Sequence, residues 1–352
     1  MKLALTIGAV FFGVALLGRA QTAQEWKLDL AQYGLRKGSC AWYPGHLEFL
    51  DDDHLIVSAP VAYTCDKSDR DNPTDTRITE IDLQGHELAA IRRSDVVELR
   101  AGPIGYVTIC TGDRVELLSR NLQVAWSISL LAGGKSKGCY FGGGLAPSRT
   151  AMVIAGPAIS QFRLFQGSSS NPIAEIATSK EQSVRAIADD GFLVCVKEKK
   201  QCDVIGSHGV VRSFVMPELG GASGNSIVGL VAPNRLLVSS FDGKRLFAET
   251  PTGEAVTVAD VAKIRPPFID SSGVEMSAVE PRRILYRVDG CFLGDFDDCY
   301  GVVFRHLAVF DSQTSRMLFQ HNYAPSADLK ISPSGHIVME QDGAEVHLFR
   351  LP

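Results

Sequence analysis

One unit recurs along this chain and constrains its fold more than any other feature: a short apolar strand, a tight polar turn, then a second apolar strand. It is seen in Leu47-Glu48-Phe49-Leu50 with Leu55-Ile56-Val57, and in Val97-Glu98-Leu99 with Tyr106-Val107-Thr108-Ile109. It returns as Gly144-Leu145 with Ala151–Ile154, Arg185–Ile187 with Phe192–Val194, and Val228–Leu230 with Leu236–Val238. The last two copies are Ser277–Val279 with Ile284–Tyr286, and Leu329–Ile331 with His336–Val338. The turns fall at Asp52, Pro103, Ser148, Asp190, Asn234, Arg282 and Ser334. Their spacing is about 51, 45, 42, 44, 48 and 52 residues, the length of a four-stranded unit repeated around an axis. Asp, Asn, Gly, Pro and Ser at these positions reverse a chain at little conformational cost.

A second hairpin follows each unit. Thr79–Leu83 turns at Gln84-Gly85 into Leu88–Ile91; Arg245–Phe247 turns at Pro251–Gly253 into Ala255–Val258; Leu307–Phe310 turns into Met317–Phe319. Each repeat therefore reads as four strands, a to d, with period-two alternation, and no long apolar period of 3.6 predicts a helix. The seventh repeat stops at its third strand, Glu345–Phe349. The missing outer strand is expected from Trp26–Leu30 near the other end of the chain. The predicted fold is all-β: a seven-bladed β-propeller of four-stranded antiparallel blades, the last closed by the N-terminal strand, with six or eight blades as the alternatives. Such closure leaves only short, protected sheet edges.

Two segments carry a resemblance. Tyr106-Val-Thr-Ile-Cys-Thr-Gly-Asp-Arg-Val-Glu-Leu-Leu118 resembles the YVTN blade signature with Ile109 in place of its Asn, and Ile331-Ser-Pro-Ser-Gly-His336 resembles the SPDG turn of WD40-like propellers. Other repeats depart from both patterns, and no Trp-Asp dipeptide is present. The chain is thus similar to bacterial exported propellers of the WD40-like or YVTN type. The resemblance implies a fold and no particular activity, because propellers host many unrelated functions.

Residues 1–20 read as a signal peptide. Lys2 precedes an uncharged apolar run, Leu3–Leu17, and Gly18-Arg19-Ala20 is a small-x-small cleavage site. The run is short for a bilayer span, which needs roughly 20 residues. Residues 21–352 are expected to form one propeller domain, secreted or periplasmic and monomeric. Removing Lys2 and Arg19 leaves 33 basic residues (35 minus 2) against 40 acidic ones. With that balance and no basic run beyond Lys197–Lys200, nucleic acid is not expected as a partner.

All eight cysteines lie beyond the signal. Their even number suits disulfides in an exported chain. Local spacing favours Cys195–Cys202 and Cys291–Cys299. Cys40–Cys65 and Cys110–Cys139 are the remaining pairs, with other connectivities open. No C-x-x-C spacing supports structural zinc.

No catalytic set is legible. Gly134-Lys-Ser-Lys-Gly138 fits the nucleophile-elbow pattern but lacks the following helix that the motif needs. Asp295, Asp297 and Asp298, between Cys291 and Cys299, gather oxygen ligands that could hold Ca²⁺, against the plainer reading of a solvated acidic loop. Strand alternation puts the b–c and d–a connections on one face of the ring, and these are the long ones: Ala59–Asp75, Leu131–Gly144, Pro217–Ser226, Ala262–Gly273 and Asp289–Tyr300. Long loops on a rigid scaffold are where function concentrates. Asp66, Asp69, Asp71, Tyr140, Arg265 and Tyr300 are therefore the candidate ligand-binding residues. The expected function is binding of a protein, peptide, glycan or small molecule through that face, with no cofactor unless Ca²⁺. The alternative is a propeller enzyme, a metal-dependent lactonase or hydrolase or a lyase, with carboxylates or histidines at the channel mouth.

Overall fold

The computed structural model describes residues 24–35, 45–61, 75–94, 96, 98–111, 114–129, 149, 151–155, 161–177, 182–188, 191–196, 201–206, 208–215, 226–230, 236–239, 245–249, 255–260, 270–280, 283–293, 299–311, 316–324 and 327–351; between 214 and 305 it describes backbone alone. The signal peptide read at 1–20 lies outside these residues.

Strands form where apolar and polar residues alternate. β1 (Gln24–Asp29) comes first, and a single 3-10 turn, Ala31–Tyr33, follows it. The first complete sheet holds β2 (His46–Phe49), β3 (His54–Pro60), β4 (Thr76–Asp82) and β5 (Glu87–Arg93). The second holds β6 (Glu98–Ala101), β7 (Tyr106–Cys110), β8 (Arg114–Ser119) and β9 (Val124–Ser129). The third shows β10 (Ala151–Ala155), β11 (Gln161–Gln166) and β12 (Ala174–Ala177); the first strand expected there, at Gly144-Leu145, lies outside the described residues. The fourth is β13 (Gln182–Ala188), β14 (Gly191–Val196), β15 (Gln201–Gly206) and β16 (Gly209–Val215), and the fifth β17 (Ser226–Leu230), β18 (Leu236–Ser239), β19 (Arg245–Glu249) and β20 (Ala255–Asp260). The sixth is β21 (Asp270–Glu280), β22 (Arg283–Leu293), β23 (Cys299–Asp311) and β24 (Met317–Tyr323). In the seventh, β25 (Asp328–Ile331), β26 (Ile337–Asp342) and β27 (Glu345–Arg350) are joined by β1.

β1 pairs antiparallel with β27 from Gln24↔Arg350 to Asp29↔Glu345, so the N-terminal strand completes the last sheet as the incomplete repeat requires. Leu28, Leu30, Tyr33 and Leu35 seal the joint, packing with Leu47, Phe49, Ile337, Met339 and Leu348. Trp26 Nε1 donates to the Leu83 carbonyl at 2.9 Å, and Tyr33 Oη to that of Gly85 at 2.7 Å.

Where side chains are described, neighbouring sheets bury apolar residues against one another. Leu50, Ile56 and Ile78 of the first sheet meet Leu99, Val107 and Ile109 of the second. Val115, Leu117 and Trp126 meet Met152, Ile154 and Phe165 of the third, whose Val153, Phe162 and Leu164 meet Val184, Phe192 and Val194 of the fourth. Inner strands β13, β17 and β21 carry the contact through the fifth to the sixth. Leu307, Val309 and Tyr323 of the sixth pack on Val338, Phe349 and Leu351 of the seventh. The circuit is closed, and this is a β-propeller built of four-stranded antiparallel sheets. Full burial of one such Leu or Phe is worth about 1.5–3 kcal/mol, so the cores between sheets, rather than backbone propensity, hold the ring.

One reading is corrected. Asp289–Tyr300 is not a long loop: β22 runs on to Leu293 and β23 starts at Cys299, so Tyr300 is a strand residue. Asp289-Gly290 reads as a turn signal in sequence, but the ladder absorbs it as a register shift beside Gly290, and apolar residues beyond it continue the pairing. β21 likewise begins at Asp270, inside the connection read as Ala262–Gly273.

Candidate functional site

The first strands β2, β6, β13, β17, β21 and β25 lie innermost in their sheets, and β2 touches both β6 and β25. Strand alternation buries Leu47 and Phe49 of β2 between sheets and leaves His46 and Glu48 on the opposite face. The same pattern places Glu98 and Arg100 about Leu99 on β6, and Asp328 and Lys330 about Leu329 on β25. The chain enters these strands from the d–a connections. His46, Glu98 and Asp328 therefore mark the channel mouth on the d–a and b–c face, with Glu48, Arg100 and Lys330 one register deeper.

These six groups form one electrostatic cluster. Lys330 Nζ bridges two sheets, donating to the Leu47 carbonyl at 2.5 Å and to Glu48 Oε1 at 2.5 Å. Asp328 Oδ2 stands 3.5 Å from the same ammonium, and Arg100 Nε meets Glu98 Oε1 at 2.5 Å. Lys330 and Glu48 are largely buried, whereas Asp328 and Arg100 are 54% and 57% exposed at the mouth. Burial, and then the Lys330 charge, hold the His46 imidazole below its usual pKa; Glu48, Glu98 and Asp328 pull the other way and do not prevail. His46 is thus neutral near pH 7, a hydrogen-bonding group among charges with its surface open to solvent.

At the other end of the ring, the described turns of the seventh, first, second and third sheets are fastened to one another. The Gly105 amide donates to the Leu50 carbonyl at 2.8 Å, and the Ser334 amide to Asp52 Oδ1 at 3.0 Å. Arg149, 7% exposed, donates from Nη1 to the Phe49 carbonyl at 2.7 Å and from Nε to that of Gly102 at 2.9 Å, while its own carbonyl accepts the Ile104 amide. Burial lowers its pKa to about 10, against the raising pull of Glu48, Asp51 and Asp52, which leaves the guanidinium charged at neutral pH. A side chain at Gly102 would crowd the Tyr106 carbonyl, at 2.9 Å from the Cβ position. Asp51, buried at the same end, accepts from Arg120 and lies 2.7 Å from His54 Nδ1. These groups spend their polar capacity fastening a–b and c–d turns of successive sheets.

Of the residues read from sequence, Asp66, Asp69, Asp71, Tyr140, Arg265, Asp295, Asp297 and Asp298 lie outside the described residues, as do Cys40, Cys65 and Cys139. Tyr300, Cys291 and Cys299 are described by backbone only. Cys195–Cys202 is a disulfide, and Cys110 is disulfide-bonded. Among the described residues no three His, Cys, Asp or Glu side chains are grouped to hold a metal ion. The sequence reading missed the inner-strand cluster. Its signal was a Leu between two ionisable residues opening three repeats: His46-Leu47-Glu48, Glu98-Leu99-Arg100 and Asp328-Leu329-Lys330.

No family model and no curated protein matches the chain. Solved structures do. A streptogramin B lyase is 11% identical with a TM-score of 0.50, covering 93% of this chain and 98% of its own. A chain of a mitotic checkpoint complex is 12% identical, also with a TM-score of 0.50, covering 99% and 98%. At such identity the likeness shows the propeller fold alone. The Cys195–Cys202 disulfide is compatible with an oxidising, extracellular setting, and no helix among the described residues is long and apolar enough to cross a membrane.

Proposed function

We propose that this chain is an exported, seven-bladed propeller that acts as a binding module, with its ligand seated at the channel mouth on the b–c and d–a face. One observation carries the reading: three adjacent inner strands deliver His46/Glu48, Glu98/Arg100 and Asp328/Lys330 to that mouth, with Asp328 and Arg100 still substantially exposed, while the opposite end spends its polar groups on its own turns. A concave, rigid opening with a few convergent polar groups is the usual form of a ligand site. The cluster mixes both charges, which supports recognition by hydrogen bonds and paired charges.

Site-directed photo-crosslinking tests this. A benzophenone side chain is placed at Glu98, and in a second variant at Arg120 at the opposite end. Each is irradiated in extract of the native source, and the adducts are weighed intact. Adducts at position 98 and none at 120 are expected, their mass separating a small molecule from a polypeptide. Adducts confined to position 120, or equal at both, overturn the assignment of the face.

A further inference from the structure

The Cys195–Cys202 disulfide does little that the fold does not already do. The two residues face each other across β14 and β15, in a ladder of cross-strand pairs that runs unbroken from Gly191↔Gly206 to Val196↔Gln201. The bond spans a sequence separation of only 7. A cross-link over so short a loop restricts the denatured chain far less than one over a long loop. β14 and β15 are, besides, the middle strands of a complete sheet, paired on their outer sides with β13 and β16. The ladder holds their register without the sulfurs.

The two cysteines differ in exposure. Cys202 is 1% exposed, whereas Cys195 is only half-buried. Cys110, the other described cysteine in a disulfide, is 0% exposed. Thiol–disulfide exchange requires a thiolate to reach one sulfur, so access selects which bond opens and which sulfur is attacked. The pair sits one residue from the b–c connection of the fourth sheet, and strand direction puts it toward the same end of the ring as the channel mouth.

We propose that Cys195–Cys202 is an exchangeable disulfide, opened by an external dithiol whose thiolate attacks Sγ of Cys195. A sulfur–sulfur bond forms between the attacking thiol and Cys195 as the Cys195–Cys202 bond breaks. Cys202 leaves as a thiolate and takes a proton from water. The second thiol of the dithiol then displaces Cys195 from the mixed disulfide. The protein gains two electrons and two protons as Cys195 and Cys202 thiols, and the dithiol departs as its own disulfide. The strands stay paired throughout. The site is independent of whatever occupies the channel mouth.

The experiment uses the folded wild-type chain. It is equilibrated with graded dithiothreitol without denaturant, trapped with N-ethylmaleimide and mapped by peptide mass spectrometry, with circular dichroism on the same samples. Cys195 and Cys202 are expected to label at dithiothreitol concentrations at least about tenfold below those that label Cys110, with the β-sheet signal unchanged. Labelling of Cys110 at the same or lower concentration, or loss of sheet signal as Cys195 labels, overturns the proposal. A parallel incubation with reduced glutathione is expected to leave its mixed disulfide on Cys195; an adduct on Cys202 instead refutes the attack at Cys195.

Discussion

Leu30→Ala puts the closure of the ring to a quantitative test. Leu30 is 0% exposed and follows the strand that completes the seventh sheet; its amide donates to the Ala344 carbonyl at 2.9 Å, so its position is pinned by the closing hairpin. Its side chain belongs to a core that takes Leu47, Phe49 and Leu55 from the first sheet and Ile337, Met339 and Leu348 from the seventh. Truncating a fully buried Leu to Ala costs about 2–5 kcal/mol, and a site ringed by close-packed neighbours from three chain segments collapses poorly, which favours about 3 kcal/mol. At about 2.1 cal/mol/K per residue, unfolding a chain of this length carries roughly 0.7 kcal/mol/K, so the midpoint falls by about 4 °C. Differential scanning calorimetry at neutral pH reads this directly. Phe192→Ala, in the core between the third and fourth sheets, serves as a positive control and is expected to cost about 3–5 kcal/mol. If Leu30→Ala melts within a degree of wild type while Phe192→Ala falls normally, the N-terminal strand is not a working part of the ring, and the closure argument fails.

Two further outcomes follow from the charged groups. For Asp51, burial raises the carboxyl pKa, but hydrogen bonds from Arg120, the Asp53 amide and His54 outweigh it and hold the group below its usual range. A depressed carboxyl stabilises the fold above its unfolded pKa and loses that contribution as the pH falls through the folded one, so Asp51→Asn is expected to cost about 1–2 kcal/mol at pH 7, discounted for the exposed Arg120, and to converge on wild type as the pH falls below the usual carboxylate range in urea titrations. A penalty independent of pH would place the loss in packing instead. Lys330→Met strands the Glu48 carboxylate between two sheets and is expected to cost about 1–3 kcal/mol, most of it restored in the Lys330→Met/Glu48→Gln double variant; additive single costs would show that the bridge does not couple the seventh sheet to the first.

The architecture was legible because a propeller repeats its grammar. Leu-Glu-Phe before the Asp51–Asp53 turn, and Leu-Lys-Ile before Ser332–Gly335, differ in residues and agree in pattern, since each inner strand must bury alternate side chains against a neighbouring sheet. The incomplete last repeat pointed to Trp26–Leu30, and pairing of Trp26 with Leu348 is what that reading requires. The reading failed where local and tertiary signals conflict. Asp289-Gly290 carries turn chemistry, yet a long hairpin tolerates it as a bulge because Cys291 pairs with Val302 and Leu293 with Cys299 beyond it.

The candidate site was harder to read for a different reason. Sequence reasoning looked for function in acidic loops such as Asp66–Asp75, where polar residues cluster along the chain. The cluster at the channel mouth is instead assembled across the chain: Lys330 meets Glu48 over a sequence separation of 282, and neither residue is unusual among its neighbours. Once the ring is closed, the first strands of the seventh, first and second sheets become adjacent, and three triplets from distant repeats become one surface. The same closure explains why Lys330 and Glu48 can stand largely buried at little cost. Each supplies the other's counter-charge, and the Leu47 carbonyl takes a second Lys330 proton. A ring closed by its own N-terminal strand thus ties the seventh sheet to the first at both edges: β1 at the outer edge, through the Trp26 bond to the Leu83 carbonyl, and β25 at the inner edge, through the Lys330 bridge to Glu48.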